Sequence, residues 1–120
     1  MKRDMDLARQ IMLQTEEKAS HGKMFVELDF EDIPKQVLSE HVKLLAEAGL
    51  IESRVNPRNA TVLPTRLTWQ GHDFLEAARN ENVWQLAIKY IQEKGGAATF
   101  SVLNTVLGQI ALEQFKRVGS

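Results

Sequence analysis

The feature that most constrains this chain is an amphipathic helix that leads directly into a β-hairpin. Residues 34–48 carry apolar side chains at helical spacing. Pro34 suits the first turn of a helix, and Asp32 is a candidate for its N-cap. Gly49 predicts the end of the helix, because glycine readily adopts the left-handed conformation that closes helices. The apolar side of this helix must be buried, and the segment that follows supplies the first partner.

Two short strand-like runs follow the helix, at about residues 50–55 and 61–68. The residues between them, from Asn56 to Asn59, favour turns, which predicts an antiparallel hairpin. Pro64 marks the second run as an edge or irregular strand, because proline donates no backbone hydrogen bond.

A third strand is predicted over residues 24–30, where apolar and acidic residues alternate. The hairpin is its only candidate partner, so we expect a small three-stranded antiparallel sheet. Four acids lie here: Glu27, Asp29, Glu31 and Asp32. We interpret them as a solvated strand face and the approach to a helix N-terminus. Paired carboxylates can also bind metal or act as acid and base, but no further ligand or nucleophile lies beside them in the sequence.

The other helices are predicted from apolar spacing and capping residues. They cover residues 4–19 with Asp4 or Asp6 as cap, a segment from Thr68 through Ala78 that breaks or bends at Asn80 to Asn82, a segment carrying Val83 to Ile91 that ends at Gly95 and Gly96, and a last one from Thr99 or Ser101. A chain of 120 residues suits one hydrophobic core. We predict a core domain at 1–79 and a helical extension at 80–120 packed on the same domain.

Four segments in order carry a family resemblance: MKRDMDLARQIM, EHVKLLAEAGLIESR, RLTWQGHDFLEAARN and EKGG. Together they resemble domain of unknown function 2513, a family of small bacterial and prophage proteins. The resemblance implies a winged helix, similar to winged helix-turn-helix domains, and no established activity. The predicted fold is therefore α+β: a winged helix with a small antiparallel sheet and extra C-terminal helices. One departure is that the helix expected just before the recognition helix is reduced to a turn near residues 30–33, or absent.

The implied fold directs attention to the helix at 34–48 and to the tip of the hairpin. Arginines and asparagines on a hairpin suit phosphate contact or insertion into a narrow minor groove. Between Ser53 and Arg66 the sequence has no acid, whereas the exposed side of the helix mixes both charges. The candidate DNA-binding residues are Lys35, Gln36, Ser39, Lys43, Arg54, Asn56, Arg58, Asn59 and Arg66.

Catalysis, metal and cofactors have no support in the sequence. The chain has no cysteine, and His21, His41 and His72 lack metal-ligand spacing. We interpret His41 as a packed structural histidine. No glycine-rich phosphate loop or nucleophile motif is present. We predict no catalytic residue, no metal, no cofactor and no small-molecule ligand.

The expected function is DNA binding in the cytoplasm, for example as a phage or prophage transcriptional regulator. The alternative is a winged-helix module that binds protein, which the net charge of −1 and the reduced helix favour. Specific DNA interfaces commonly use dimers, so we consider a homodimer through the C-terminal helices. Their large apolar side chains are Trp84, Tyr90, Phe100 and Phe115. No stretch approaches the roughly 20 apolar residues that span a bilayer, so no membrane partner is expected.

Overall fold

Five helices and one antiparallel hairpin form the described part of the chain in a computed structural model, which covers residues 3–20 and 22–119, with side chains up to Lys116. The class is α+β, as predicted. The elements in order are α1 (Met5–Lys18), α2 (Lys35–Glu47), β1 (Ile51–Val55), β2 (Val62–Leu67), α3 (Trp69–Ala78), α4 (Glu81–Glu93) and α5 (Phe100–Gly119). The chain divides into two compact units, Met1–Asp73 and Phe74–Ser120. The packing of residues 80–120 on the rest stays a prediction.

Helix α1 begins as the sequence predicts. The Asp4 side chain accepts a hydrogen bond from the backbone N–H of Leu7, which satisfies one of the free donors of the first turn. Its apolar side, with Ile11 and Met12 fully buried, lies in the core of the first unit. Contacts between α1 and both α2 and β2 build that core.

Helix α2 ends as predicted but begins differently. Gly49 has φ +77, the left-handed conformation expected after the last turn. The N-cap position is taken by Pro34, and no side chain caps the first turn, so the assignment of this role to Asp32 is wrong. Asp32 lies two residues before the cap position, because Pro34 itself holds the extended conformation that this position requires. Residues 31 and 32 form a turn, so no helix directly precedes α2.

Strands β1 and β2 pair in antiparallel register, with Ile51 opposite Leu67 and Val55 opposite Val62. The register shifts between Glu52, which faces Arg66, and Ser53, which faces Pro64. The extra residue on β2 is a bulge, which bends the strand and increases its local twist.

The predicted third strand over residues 24–30 is not formed, and the sheet in the described residues has two strands. Val26 is buried and its N–H donates to the Pro64 carbonyl at 2.7 Å, but the pairing stops there. Proline has no N–H, so Pro64 cannot donate the second hydrogen bond that would continue a strand pair with this segment. The backbone groups of Asp29 instead bond to the Gln14 side chain of α1, each at 2.9 Å. The alternating pattern therefore belongs to an extended segment that is held by hydrogen bonds to α1 and to Pro64. The prediction of a three-stranded sheet is wrong.

Helix α3 is tied to the end of α2 by Thr68, its predicted cap. The Thr68 hydroxyl accepts from the Gly71 N–H at 3.0 Å, and the Thr68 N–H donates to the Leu50 carbonyl at 3.0 Å. Gly71 is buried directly against the Leu50 carbonyl oxygen. A side chain at position 71 would occupy the space of that backbone, so the close approach of α3 to the chain after α2 requires glycine.

The second unit is built on α4 and α5, with aromatic rings at its centre. Phe74 meets Trp84 and Phe100 edge to face, at centroid distances of 6.4 and 5.7 Å. Asn80 caps α4, which confirms the predicted break near residues 80–82. Two further predicted signals are confirmed: Gly95 is left-handed after α4, and the Thr99 hydroxyl accepts from the Val102 N–H at the start of α5.

The hairpin tip contains Ala60 at φ +60, a left-handed conformation that costs an L-residue roughly 1–2 kcal/mol. We expect Ala60→Gly to raise the free energy of unfolding by about 0.5 kcal/mol, because removal of this strain exceeds the entropy that glycine adds to the unfolded chain. Urea unfolding measures the change. The matched control, Ala46→Gly within α2, should lower stability by about 1 kcal/mol. A loss of stability in both variants would contradict the left-handed tip.

Candidate nucleic-acid interface

The solvent side of α2 is nearly neutral. Lys35, Gln36 and Lys43 are exposed there, as predicted. The ammonium of Lys43 lies 3.7 Å from the Glu40 carboxylate, one helical turn away. This exposed pair adds little to stability, but it lowers the positive charge that the middle of the helix presents to a ligand. The first turn of α2, with Lys35, therefore carries the net positive end of this face.

Ser39 does not belong to this face. Its side chain is buried, with 7% of the residue exposed, and its Oγ accepts a hydrogen bond from the Val62 N–H at 2.8 Å. Val62 begins β2, and its N–H would otherwise be a buried donor without a partner. The prediction that Ser39 points outward is wrong, because its hydroxyl joins α2 to the hairpin.

Two asparagine side chains shape the hairpin tip. The Asn56 Oδ1 accepts from the Arg58 N–H at 3.0 Å, and the Asn59 Oδ1 accepts from the Thr61 N–H at 3.1 Å. These are local turns of the kind that asparagine favours. Because the oxygens hold the turn, the amide NH2 groups of Asn56 and Asn59 are the parts of these side chains that remain as donors to a ligand.

A recess of about 220 Å³ joins the first turn of α2 to the hairpin tip. Lys35, Asn56 and Asn59 all line it, so the fold brings together three of the predicted residues from two separate elements. No side chain caps α2 at this end. The partial positive charge of a helix N-terminus is therefore added to that of Lys35. Glu27 also lines the recess and is its acidic member.

The arginines of the hairpin differ in their surroundings. Arg66 forms a two-pronged ion pair with Glu52 on β1, at 2.7 and 3.0 Å. The bulge places these two residues opposite each other. Arg54 is exposed and lines a second recess of about 620 Å³ with Lys23 and Arg66. Arg58 is exposed at the tip.

The pairing of Arg66 is the point that the sequence interpretation missed. The acid-free stretch from Ser53 to Arg66 begins one residue after Glu52. Counting across the hairpin from the Val55–Val62 pair would place Glu52 opposite Thr65, and the bulge brings Arg66 to that position instead. The charge of Arg66 is already paired with the Glu52 carboxylate, which weakens any contact of Arg66 with a phosphate. Arg54 and Arg58 have no ion-pair partner among the described residues.

His41 is a structural residue, as interpreted from the sequence. It is 1% exposed, its Nε2 accepts from the Asp4 N–H at 2.9 Å, and its Nδ1 lies 2.9 Å from the Val37 carbonyl oxygen. The ring thereby fastens the start of α1 to α2. His72 is exposed, 3.9 Å from a Glu16 carboxylate oxygen, and His21 lies outside the described residues. Within residues 3–20 and 22–119, no three acidic or histidine side chains are grouped to hold a metal ion.

The fold and this surface define an α+β domain in which an exposed helix end and a hairpin tip share one polar recess. The chain belongs to the family described as "Hypothetical protein (DUF2513)", whose model matches residues 2–97. It is similar to an uncharacterized protein of Haemophilus influenzae, with 36% identity over 98 residues that cover 78% of this chain and 81% of the relative. No solved structure matches the chain. None of the helices in the described part of the chain has the length and apolar character to cross a membrane.

Proposed function

We propose that the first unit is a winged-helix module that binds double-stranded DNA, with α2 as the recognition helix and the β1–β2 hairpin as the wing. Transcriptional regulation, in a bacterial or prophage setting and in the cytoplasm, is the role that such a module serves. The DNA-contacting residues of this proposal are Lys35, Gln36, Lys43, Arg54, Asn56, Arg58 and Asn59.

The observation that carries the proposal is the recess shared by α2 and the hairpin tip. Lys35, the uncapped first turn of α2 and the amides of Asn56 and Asn59 all offer donors around one space. Phosphate oxygens accept hydrogen bonds from lysine, from amide side chains and from helix N-termini. A single phosphodiester strand seated at this recess would fix α2 and the wing on the duplex at the same time.

Base readout would fall to the exposed side of α2. Gln36 and Lys43 lie there, and both side chains have hydrogen-bonding groups that match base edges in the major groove. The wing arginines Arg54 and Arg58 supply contacts that do not depend on sequence. The number of free cations is small, so we expect one copy of the chain to bind random DNA weakly, in the micromolar range or above.

The direct test is a salt titration of binding to random duplex DNA. Each phosphate contact contributes about 0.9 to the slope of log K against log salt. We expect Arg54→Ala combined with Arg58→Ala to weaken binding on all sequences and to flatten the slope by about 2. Fluorescence anisotropy of a labelled duplex at several salt concentrations measures both quantities.

The matched control removes two positive charges from the other unit, with Lys89→Ala and Lys116→Ala on the exposed surfaces of α4 and α5. This variant has the same net charge as the wing variant, and its salt slope should equal that of the wild type. Absence of binding at low salt would overturn the proposed function. An equal loss in both variants would remove the wing from the mechanism.

A protein-binding winged helix is the second candidate. The observation in its favour is the turn at residues 31 and 32, where DNA-binding relatives of this fold class have a helix that crosses the phosphate backbone. Three large apolar side chains of the first unit, Met24, Val55 and Trp69, are also strongly exposed. The same titration separates the two functions, because a module that binds only protein gives no salt-dependent affinity for random duplex DNA.

A further inference from the structure

An apolar groove of about 560 Å³ lies between α4 and α5, within the second unit. Leu86 and Tyr90 of α4 line it, together with Val106, Ile110 and Leu112 of α5. Leu86 is 55% exposed and Leu112 is 53% exposed. Contiguous apolar surface of this kind marks interaction sites on soluble proteins.

The apolar arc of α4 is wider than its buried side requires. Trp84, Ala87 and Ile91 face the core of the unit. Leu86 and Tyr90, four residues apart on the helix, form a second row beside them that remains exposed. In the described residues, five of the eight exposed large apolar side chains lie on α4 and α5. The exposure is thus concentrated on one pair of helices instead of being scattered singly over the surface.

The low charge of this face favours an apolar, uncharged occupant such as the same face of a second copy. Among the described side chains, Glu113 is the one charged residue that lines the groove, and Gln109 and Gln114 are neutral. The first 13 residues of α5, from Phe100 to Leu112, include no charged side chain. Apart from Glu113, a charged peptide would find no complementary charge among the described lining residues. A second copy meets almost no repulsion, and a twofold dimer needs a patch that complements itself.

We propose that the chain forms a homodimer in which the α4–α5 faces of two copies pack against each other. The dimer rests on the groove alone and does not depend on DNA binding. Large apolar side chains that become buried at its centre, above all Leu86, Tyr90 and Leu112, supply most of the affinity.

The size of the face sets the expected strength. Helices of 13 and 20 residues are roughly 20 and 30 Å long, and packed helices lie about 10 Å apart. Each helix thus presents a strip about 10 Å wide, and the two strips together make a face of roughly 500 Å². This area is below the ~800 Å² per partner of a standard interface. We expect dissociation in the micromolar range.

Sedimentation equilibrium of the full chain across the micromolar range tests the dimer. The mass should rise with concentration from 13.6 kDa towards twice that value. Leu86→Glu combined with Leu112→Glu should shift dissociation at least tenfold towards the monomer, because a twofold contact places the new charges against each other. The matched control is Gln92→Glu with Asn104→Glu, which adds the same charge at exposed positions outside the groove lining. A wild type that stays monomeric, or a control that dissociates equally, overturns the proposal.

A second measurement is independent of whether the glutamate variant folds. The chain has no cysteine, so Gln109→Cys in the groove and Gln92→Cys outside it each introduce one thiol. Labelling of the thiol at position 109 should slow severalfold between dilute and concentrated protein, while labelling at position 92 should not. Equal rates at all concentrations would show that a second copy does not cover the groove.

Discussion

Gly71→Ala should lower the free energy of unfolding by about 3 kcal/mol or more. The added Cβ would overlap the carbonyl oxygen and carbon of Leu50, which are backbone atoms that no rotamer change can move. Relief requires α3 to shift away from the chain after α2, and the Thr68 cap and its bond to Leu50 lie at the same junction. The free energy of unfolding of a small domain is only about 5–15 kcal/mol, so this loss is a large fraction of the total stability. Denaturant unfolding followed by circular dichroism measures it.

The control for Gly71 is Gly108→Ala in α5. Gly108 is helical and exposed, and a Cβ built there meets no atom within 4 Å. This substitution should raise stability by about 0.5–1 kcal/mol, because alanine loses less conformational entropy in a helix. Opposite signs for the same chemical change would establish that contact with Leu50, and not helix propensity, decides the result at position 71. A neutral Gly71→Ala would contradict the close approach of α3.

His41→Ala should lower the free energy of unfolding by about 3 kcal/mol. The substitution leaves a cavity beneath α2 and removes the acceptor of the Asp4 N–H. The hydrogen bond to Val37 is lost as well. Because His41 links α1 to α2, we expect amide hydrogen exchange to accelerate in the first turn of α1 before it does in the hairpin.

His72→Ala is the matched control for His41. His72 is exposed and has one long contact to Glu16, so its removal should change stability by less than about 0.5 kcal/mol. A similar loss of stability in the two variants would mean that the hydrogen bonds of the His41 ring do not hold α1 against α2.

Local signals in the sequence were sufficient for most elements of the fold. Gly49, Thr68, Asn80 and Thr99 act on their immediate neighbours, and each closes or opens a helix where the sequence predicts. The hairpin follows from its turn residues in the same way. Such features require only information within a few residues.

Features that depend on a distant partner were not predictable in this way. Apolar and acidic residues do alternate over residues 24–30. However, the Gln14 side chain bonds to the backbone groups of Asp29, and Pro64 has no N–H to donate to a strand pair. Ser39 has a polar side chain at the edge of the buried arc of α2, and the N–H of Val62, 23 residues away, decides that it points inward.

The candidate interface divides along the same line. The exposure of Lys35, Gln36 and Lys43 follows from helical periodicity and was predicted. The pairing of Arg66 with Glu52 depends on the bulge, which shifts the register by one residue. The shared recess of Lys35 with the tip asparagines depends on how α2 packs on the hairpin, and no local pattern encodes that distance.

Pro64 has a consequence for the behaviour of the protein at high concentration. An exposed strand edge is a template on which strands of other molecules can add and begin aggregation. On β2, the outward carbonyl of Pro64 is already occupied by the Val26 N–H, and proline has no N–H of its own to offer. The extended segment around Val26 therefore acts as a cover for this edge. At this position the outer side of β2 offers an incoming strand neither a donor nor an acceptor.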